Sequence, residues 1–122
     1  MIFERIGASH PLFEASFTLY EASFPPNERR TREDHLRALQ DADFFPLGAV
    51  EGGKLLADVF LWETEDFCYL EHFAVQPSLR GHGTGSTILR QLLTQDKPLI
   101  LEIEPPEDEI TCRRKRFYER NG

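Results

Sequence analysis

The first forty residues place apolar positions in patterns that predict one strand and two helices. The segment IFERI, residues 2–6, alternates apolar and polar residues and predicts a short strand. Aromatic residues then recur at helical spacing until Pro25-Pro26 ends the run, namely Phe13, Phe17, Tyr20 and Phe24. Thr31 precedes REDHLRALQ and predicts a second helix over 32–40, with Thr31 as its N-cap and Asp34 in the capping-box position.

The middle of the chain predicts three consecutive antiparallel strands. Gly52-Gly53 separates two apolar runs, and two glycines in that setting predict a two-residue hairpin turn. A second polar turn, ETED at 63–66, leads into the strand FCYLEHFAV at 67–75, which ends before Pro77.

The last third of the chain predicts a helix, a strand and a final helix. Apolar residues between 88 and 93 give the helix an apolar face, PLILEIE at 98–104 predicts the strand, and 108–120 follows as a helix. The strands at 67–75 and 98–104 flank a helix and are therefore expected to run parallel. The predicted fold is α+β (mixed α/β), of order β-α-α-β-β-β-α-β-α, around a mixed and mainly antiparallel sheet.

Length and charge narrow the class of protein. The 122 residues suffice for one domain, 1–122, and not for two. A formal net charge of −7 argues against nucleic acid and anionic membranes as partners. No apolar stretch approaches the roughly 20 residues of a membrane-spanning helix, and the N-terminus lacks the apolar block of a secretory signal. We therefore expect a cytoplasmic protein.

The segment LRGHGTGS, residues 79–86, predicts an anion site between a strand and a helix. Glycines let an anion approach the main chain, the unpaired N–H groups of a helix's first turn attract it, and Arg80 adds a positive charge. A glycine-rich turn without a ligand is the simplest alternative. A P-loop is excluded because it requires a lysine, and residues 79–86 contain none. A dinucleotide site would use Gly81, Gly83 and Glu102, but Ser86 stands where the third glycine belongs and the preceding strands form hairpins.

The pattern R-x-x-G-x-G at 80–85, preceded by LEHFAVQP and followed by RFYERNG, resembles the GNAT superfamily of acyl-CoA-dependent N-acetyltransferases. The resemblance implies acetyl-CoA as co-substrate, a primary amine of a small molecule or peptide as acceptor, and no metal. It also implies that the strands at 67–75 and 98–104 splay apart to admit the thioester. Its implied coenzyme-binding residues are Phe73, Ala74, Val75, Arg80, Gly81, His82, Gly83, Thr84, Gly85 and Ser86.

Two residues are candidates for proton transfer. The resemblance makes Tyr118 the acid that protonates the leaving thiolate, because it matches the tyrosine of the family's F-Y-E motif. Glu71 is the candidate base, since strand alternation places it on one face with Tyr69, Phe73 and Val75 and aromatic neighbours should raise the pKa of its carboxyl. An ordinary polar residue on a half-exposed strand is the alternative for Glu71. By the same alternation, we expect the side chain of His72 to point to the opposite face.

The loop between the first two helices occupies the place where the family shapes its acceptor pocket. Phe24, Arg29 and Arg30 are therefore candidate acceptor-binding residues, with the arginines suited to a carboxylate; a solvated loop is the alternative.

Members of the family usually continue after the F-Y-E motif with a β-hairpin, and this sequence stops before it, either because a longer protein has been cut or because this is a natural short form. We therefore expect an uncovered sheet edge and a homodimer or other self-association. A non-catalytic acyl-CoA-binding module is the alternative to an enzyme.

Overall fold

The computed structural model describes residues 1–94 and 97–101. The elements follow the predicted order as far as the fifth strand: β1 Ile2–Arg5, α1 Phe13–Ser23, α2 Arg32–Ala38, β2 Phe44–Glu51, β3 Lys54–Glu63, β4 Cys68–Val75, a 3-10 turn Pro77–Leu79, α3 Thr84–Leu92 and β5 Leu99–Leu101. The predicted final helix at 108–120, Tyr118 and the far end of the strand predicted at 98–104 lie outside the described residues.

The five strands form one sheet in the order β1-β2-β3-β4-β5. The first four strands pair antiparallel, and β5 pairs parallel to β4 with Cys68 opposite Leu99 and Leu70 opposite Leu101. This arrangement confirms the predicted mixed, mainly antiparallel sheet. The predicted splay would lie beyond Leu70, where the partner of β4 would be residue 102 onwards, so it stays a prediction.

Local signals explain where several elements begin and end. The Thr31 hydroxyl accepts a hydrogen bond from the Asp34 N–H at 3.2 Å, which confirms the predicted N-cap of α2. That helix ends at Ala38, two residues before the predicted end. The β2–β3 hairpin turns at Gly52 and Gly53 as predicted, with φ values of +58° and +76°.

The sheet carries an apolar core on each face. On one face α3 packs Ile88, Leu89 and Leu92 against a cluster of small and branched sheet residues. On the other face α1 and α2 cover two clusters, one of which holds Phe17, Tyr20, Phe44 and Phe60. None of the helices in the described part of the chain is long and apolar enough to cross a membrane.

A β-bulge in β4 changes which side chains share a face. Phe60 pairs with His72 and Leu61 with Leu70, so Glu71 is an extra residue between two paired positions. The side chains of Glu71 and His72 therefore both lie on the α1 side, and their nearest polar atoms are 3.4 Å apart. Phe73 and Val75 pack instead against the α3-side cluster. The predictions that His72 faces away from Glu71, and that Glu71 shares a face with Phe73 and Val75, are wrong because simple alternation ignores the bulge.

Candidate active site

The turn between β4 and α3 presents main-chain donors to solvent. Gly81 and Gly83 have φ values of +82° and +77°, a region that glycine enters without strain, and Gly83 is the N-cap of α3. A Cβ built on either glycine would meet no atom within 4 Å, so the space above both residues is open. An anion can therefore approach the main chain at this turn.

The N–H groups of residues 81–86 have no acceptor among residues 1–94 and 97–101. The first helical hydrogen bond of α3 runs from the Thr87 N–H to the Gly83 carbonyl at 3.0 Å. Thr84, Gly85 and Ser86 therefore form a first turn whose donors point out of the helix, at the end where the helix dipole is positive. His82 is exposed beside them. The predicted anion site has the geometry it requires.

Arg80 connects this turn to the end of β4. Its Nε donates a hydrogen bond to the Val75 carbonyl at 3.1 Å, and the side chain is otherwise exposed. The guanidinium thus holds the turn against the strand while leaving its outer N–H groups toward solvent. A positive charge remains beside the open main-chain donors.

The hydrogen-bond alternation of β4 sets the direction of its main-chain groups. The Gln76 N–H donates to the Leu56 carbonyl at 2.9 Å, so in an antiparallel ladder Ala74 also faces β3 while Phe73 and Val75 face the other way. The buried Ala74 side chain packs in the α1-side core with Leu19. Of these three candidate coenzyme contacts, Phe73 and Val75 direct their main-chain groups toward the β5 side.

Glu71 lies in a network of donors on the α1 side of the sheet. Its Oε1 accepts hydrogen bonds from Arg30 Nη1 at 2.5 Å and from Trp62 Nε1 at 3.1 Å. Burial raises the pKa of Glu71, but His72, Arg30 and Trp62 outweigh burial and lower the pKa to about 2. The expected rise in this pKa is therefore wrong: the aromatic surroundings are accompanied by an arginine that stabilises the charged form.

Arg30 is held in place by aromatic and polar contacts. Its guanidinium lies over the rings of Phe44 and Tyr20, with 4.9 and 5.6 Å to the ring centroids. Its Nη2 lies 3.3 Å from His35 Nδ1. Burial and then the Arg30 charge lower the pKa of His35 to about 4, so its ring is neutral near pH 7 and Nδ1 accepts from Arg30.

Arg29 and Phe24, the other two candidate acceptor-binding residues, lie just beyond the C-terminal end of α1. Arg29 Nη1 donates to the carbonyls of Glu21 at 2.9 Å and Phe24 at 2.6 Å, where helical carbonyls lack partners. The Phe24 ring meets the His72 ring edge-on, with centroids 4.6 Å apart. The structure thus joins Phe24, Arg30 and Glu71 in one region and directs the Arg29 side chain to the helix end.

Sequence reasoning missed Trp62 and His35 and placed His72 on the wrong face. The strand run around Trp62 shows that it is in the sheet, but only the β3–β4 register brings it to Glu71. His35 could have been found from the sequence, because a lone histidine among the apolar positions of an amphipathic helix indicates a side chain directed at the core. In the described residues no group of three or more His, Cys, Asp or Glu side chains is placed to hold a metal ion.

The sheet topology and the turn before α3 define a mixed α/β protein whose strand-to-helix connection presents open main-chain N–H groups. The Acetyltransferase (GNAT) family matches residues 10–122, and the chain belongs to this family. A candidate acetyltransferase of the GNAT family from Bacteroides thetaiotaomicron superimposes with a TM-score of 0.90 at 30% identity, over 100% of this chain and 71% of that one.

Two further relatives show how far the similarity extends. The candidate acetyltransferase YjbC of Bacillus subtilis (strain 168) is 35% identical over 60 residues, which span 48% of this chain and 31% of YjbC. The chain therefore aligns with less than a third of that curated relative. An aminoglycoside acetyltransferase from an uncultured soil metagenomic sample, solved with sisomicin, shares the fold with a TM-score of 0.67 at 18% identity, over 98% of this chain and 86% of that one.

Proposed function

We propose that this protein is an N-acetyltransferase that transfers an acetyl group from acetyl-CoA to a primary amine of a small molecule or peptide by direct attack. The observation that carries the proposal is the row of N–H groups at residues 81–86, which lack acceptors among the described residues and lie at the positive end of α3. Membership in the acetyltransferase family makes the diphosphate of coenzyme A the anion that these donors would bind.

The coenzyme would be held by main-chain groups on both sides of Arg80. The N–H groups of 81–86 would bind the diphosphate, and the Arg80 guanidinium would add charge-assisted hydrogen bonds. Phe73 and Val75, whose main-chain groups face away from β3, would pair with the pantetheine arm, and the Val75 N–H would polarise the acyl carbonyl. Acetyl-CoA supplies an acyl group activated as a thioester.

The amine would approach Glu71, which is about one quarter exposed. An ammonium must lose a proton before its nitrogen can attack a carbonyl. Glu71 is ionised throughout the physiological range, so its carboxylate would attract and orient that ammonium, and water at its exposed side would carry the released proton to solvent. Tyr118 would supply the proton to the departing thiolate, a role that rests on the sequence motif alone.

Binding is tested by thermal unfolding with acetyl-CoA, S-acetylpantetheine and NAD as ligands. Acetyl-CoA at one hundred times its Kd should stabilise the protein by about 2.7 kcal/mol. S-acetylpantetheine at the same concentration should produce little shift because it has no diphosphate for residues 81–86. A larger shift with NAD than with acetyl-CoA would contradict the proposal and favour a dinucleotide site.

Turnover is tested by release of free thiol from acetyl-CoA in the presence of a panel of amines, aminoglycosides and peptides. We expect release with at least one amine, and a fall of about 100-fold in kcat for Tyr118→Phe, which removes the hydroxyl and keeps the ring. Stabilisation by acetyl-CoA without release across the whole panel would identify a binding module instead of an enzyme.

A further inference from the structure

The two carboxylate oxygens of Glu71 have different surroundings. Oε1 accepts hydrogen bonds from Arg30 Nη1 at 2.5 Å and from Trp62 Nε1 at 3.1 Å. Oε2 accepts none from the described residues, and the side chain is 27% exposed. The acceptor that remains here is therefore one oxygen of an ionised carboxylate, which a cation can approach.

The two arginines of the α1–α2 loop, which the sequence offered as partners for a carboxylate, are already bound within the protein. Arg30 donates to Glu71 with Nη1, its Nη2 lies 3.3 Å from His35 Nδ1, and its Nε is buried. Arg29 donates to two main-chain carbonyls at the end of α1. A carboxylate on the acceptor would have to compete with Glu71 for Arg30, and the negative charge of Glu71 would repel it.

Aromatic rings border the carboxylate. The half-buried Trp62 packs against Phe44, with ring centroids 4.7 Å apart, and its N–H is bound to Glu71. Because the two oxygens of a carboxylate share one carbon atom, Oε2 also lies close to this indole. On the loop side, the half-buried Phe24 ring lies edge-on against His72, which adjoins Glu71. A group attached to an ammonium at Oε2 would therefore meet apolar ring surface.

We propose that Phe24, Trp62 and Glu71 form an amine corner that selects primary amines carrying an apolar group and no carboxylate beside the nitrogen. This inference rests on the proposed function and names its acceptor class. The ammonium would pair with Oε2, and its apolar group would pack against Trp62 and Phe24. Alkyl and arylalkyl amines, and peptides with an apolar first residue, fit this description. A free amino acid does not, because its carboxylate would lie beside that of Glu71.

Trp62 provides a direct measurement, because it is the only tryptophan of the chain. Its fluorescence and its indole N–H signal in NMR therefore report on the amine corner. We would titrate the protein at pH 6, with and without coenzyme A, which carries no acyl group to transfer. At this pH Glu71 is ionised and the amino groups of the ligands are protonated.

Four ligands separate charge from apolar surface. 2-Phenylethylamine, L-phenylalaninamide and L-phenylalanine share a ring and an ammonium, and among them only phenylalanine has a carboxylate. The first two should bind with similar Kd values, and phenylalanine should bind at least about 10-fold more weakly. Ethylamine, which lacks the ring, should bind about 10-fold more weakly than 2-phenylethylamine.

Glu71→Gln tests the source of the discrimination. Glutamine keeps an oxygen that can accept from Arg30 and Trp62 but has no negative charge. The variant should bind 2-phenylethylamine about 10-fold more weakly and lose most of the difference between phenylalaninamide and phenylalanine. Glu51→Gln, at the opposite end of β2 from Phe44, makes the same change of charge and should keep the wild-type Kd values.

The ligand series with the wild-type protein decides the inference without any variant. Equal Kd values for phenylalanine and phenylalaninamide, equal values for ethylamine and 2-phenylethylamine, or Trp62 signals that no amine changes would each overturn it. Absence of thiol release from acetyl-CoA would instead overturn the proposed function. Because the titrations measure amine binding without turnover, the two failures are distinguishable.

Discussion

Two acidic residues on the same face of the sheet have pKa values shifted in opposite directions. Burial raises the pKa of both Glu71 and Asp58. Glu71 accepts hydrogen bonds from an arginine and further donors, which reverse the effect of burial on its pKa. Asp58 accepts one hydrogen bond, from the Ser16 hydroxyl at 2.7 Å. Its Oδ2 is buried without a partner among the described residues, and the pKa of Asp58 rises to about 8. Partners, and not burial alone, decide the charge of each carboxyl.

Asp58 should make the protein less stable as the pH rises from about 4 to about 8. In this interval the folded protein keeps the Asp58 proton and the unfolded chain releases it, so deprotonation favours unfolding. Asp58→Asn cannot lose this proton. The free energy of unfolding of the variant, relative to wild type, should therefore increase by roughly 5 kcal/mol across the interval.

Urea denaturation at pH 4, 6 and 8.5 measures this difference. Asp66→Asn, at an exposed turn, is the control and should follow the wild-type pH dependence. Parallel stability curves for wild type and Asp58→Asn would show that Asp58 is ionised in the folded protein near neutral pH.

At the scale of elements, the turn before α3 depends on backbone conformation at Gly83. Alanine at Gly83 would have to adopt φ near +77°, which costs about 1 kcal/mol or more for a residue with a Cβ. Gly83→Ala should therefore lower the free energy of unfolding by about that amount. It should also weaken stabilisation by acetyl-CoA, because relaxation of the turn would redirect the N–H groups of 81–86.

Gly7→Ala is the matched control for this substitution. Gly7 also has open space where a Cβ would stand, but its φ is not positive, so the change should alter stability by less than about 0.5 kcal/mol. Equal losses of stability at both positions would contradict the assigned role of the left-handed conformation at Gly83.

Elements could be predicted from the sequence where the determining interactions are local. The Thr31 cap, the Gly52-Gly53 hairpin and the glycine turn each depend on a few neighbouring residues, and all three are present. The bulge at Glu71 depends on how β3 and β4 pair, which alternation within β4 does not encode.

The contacts of the candidate site also depend on residues that are distant in sequence. Glu71 and Arg30 are 41 residues apart, so neither their contact nor the direction of the pKa shift could be read from either segment alone.

At the scale of the whole molecule, the expected self-association stays a prediction, and β5 is where it can be tested. Ile100 on β5 is 45% exposed, and among the described strands β5 pairs with β4 alone. An exposed apolar strand edge favours pairing with another copy, and a lysine at such a position opposes it. Ile100→Lys should therefore shift the protein toward monomer in sedimentation velocity across a concentration series.

Leu93→Lys provides the comparison for this experiment. Leu93 is similarly exposed, at 48%, but follows the end of α3 and presents no strand edge. It should leave the association unchanged. Sedimentation of the wild-type protein as a monomer at every concentration would contradict the expected self-association.

The connection between α1 and α2 is fastened to the rest of the protein by its backbone and by the Arg30 side chain. The Glu28 carbonyl accepts from His72, the Arg30 N–H donates to the Tyr20 hydroxyl, and Arg30 Nη1 donates to Glu71. The exposed side chains at 25–27 take no part in these attachments. Asn27, which follows the two prolines after α1, can therefore be varied while the connection keeps these attachments, which offers a route to testing whether this loop selects the acceptor of the proposed reaction.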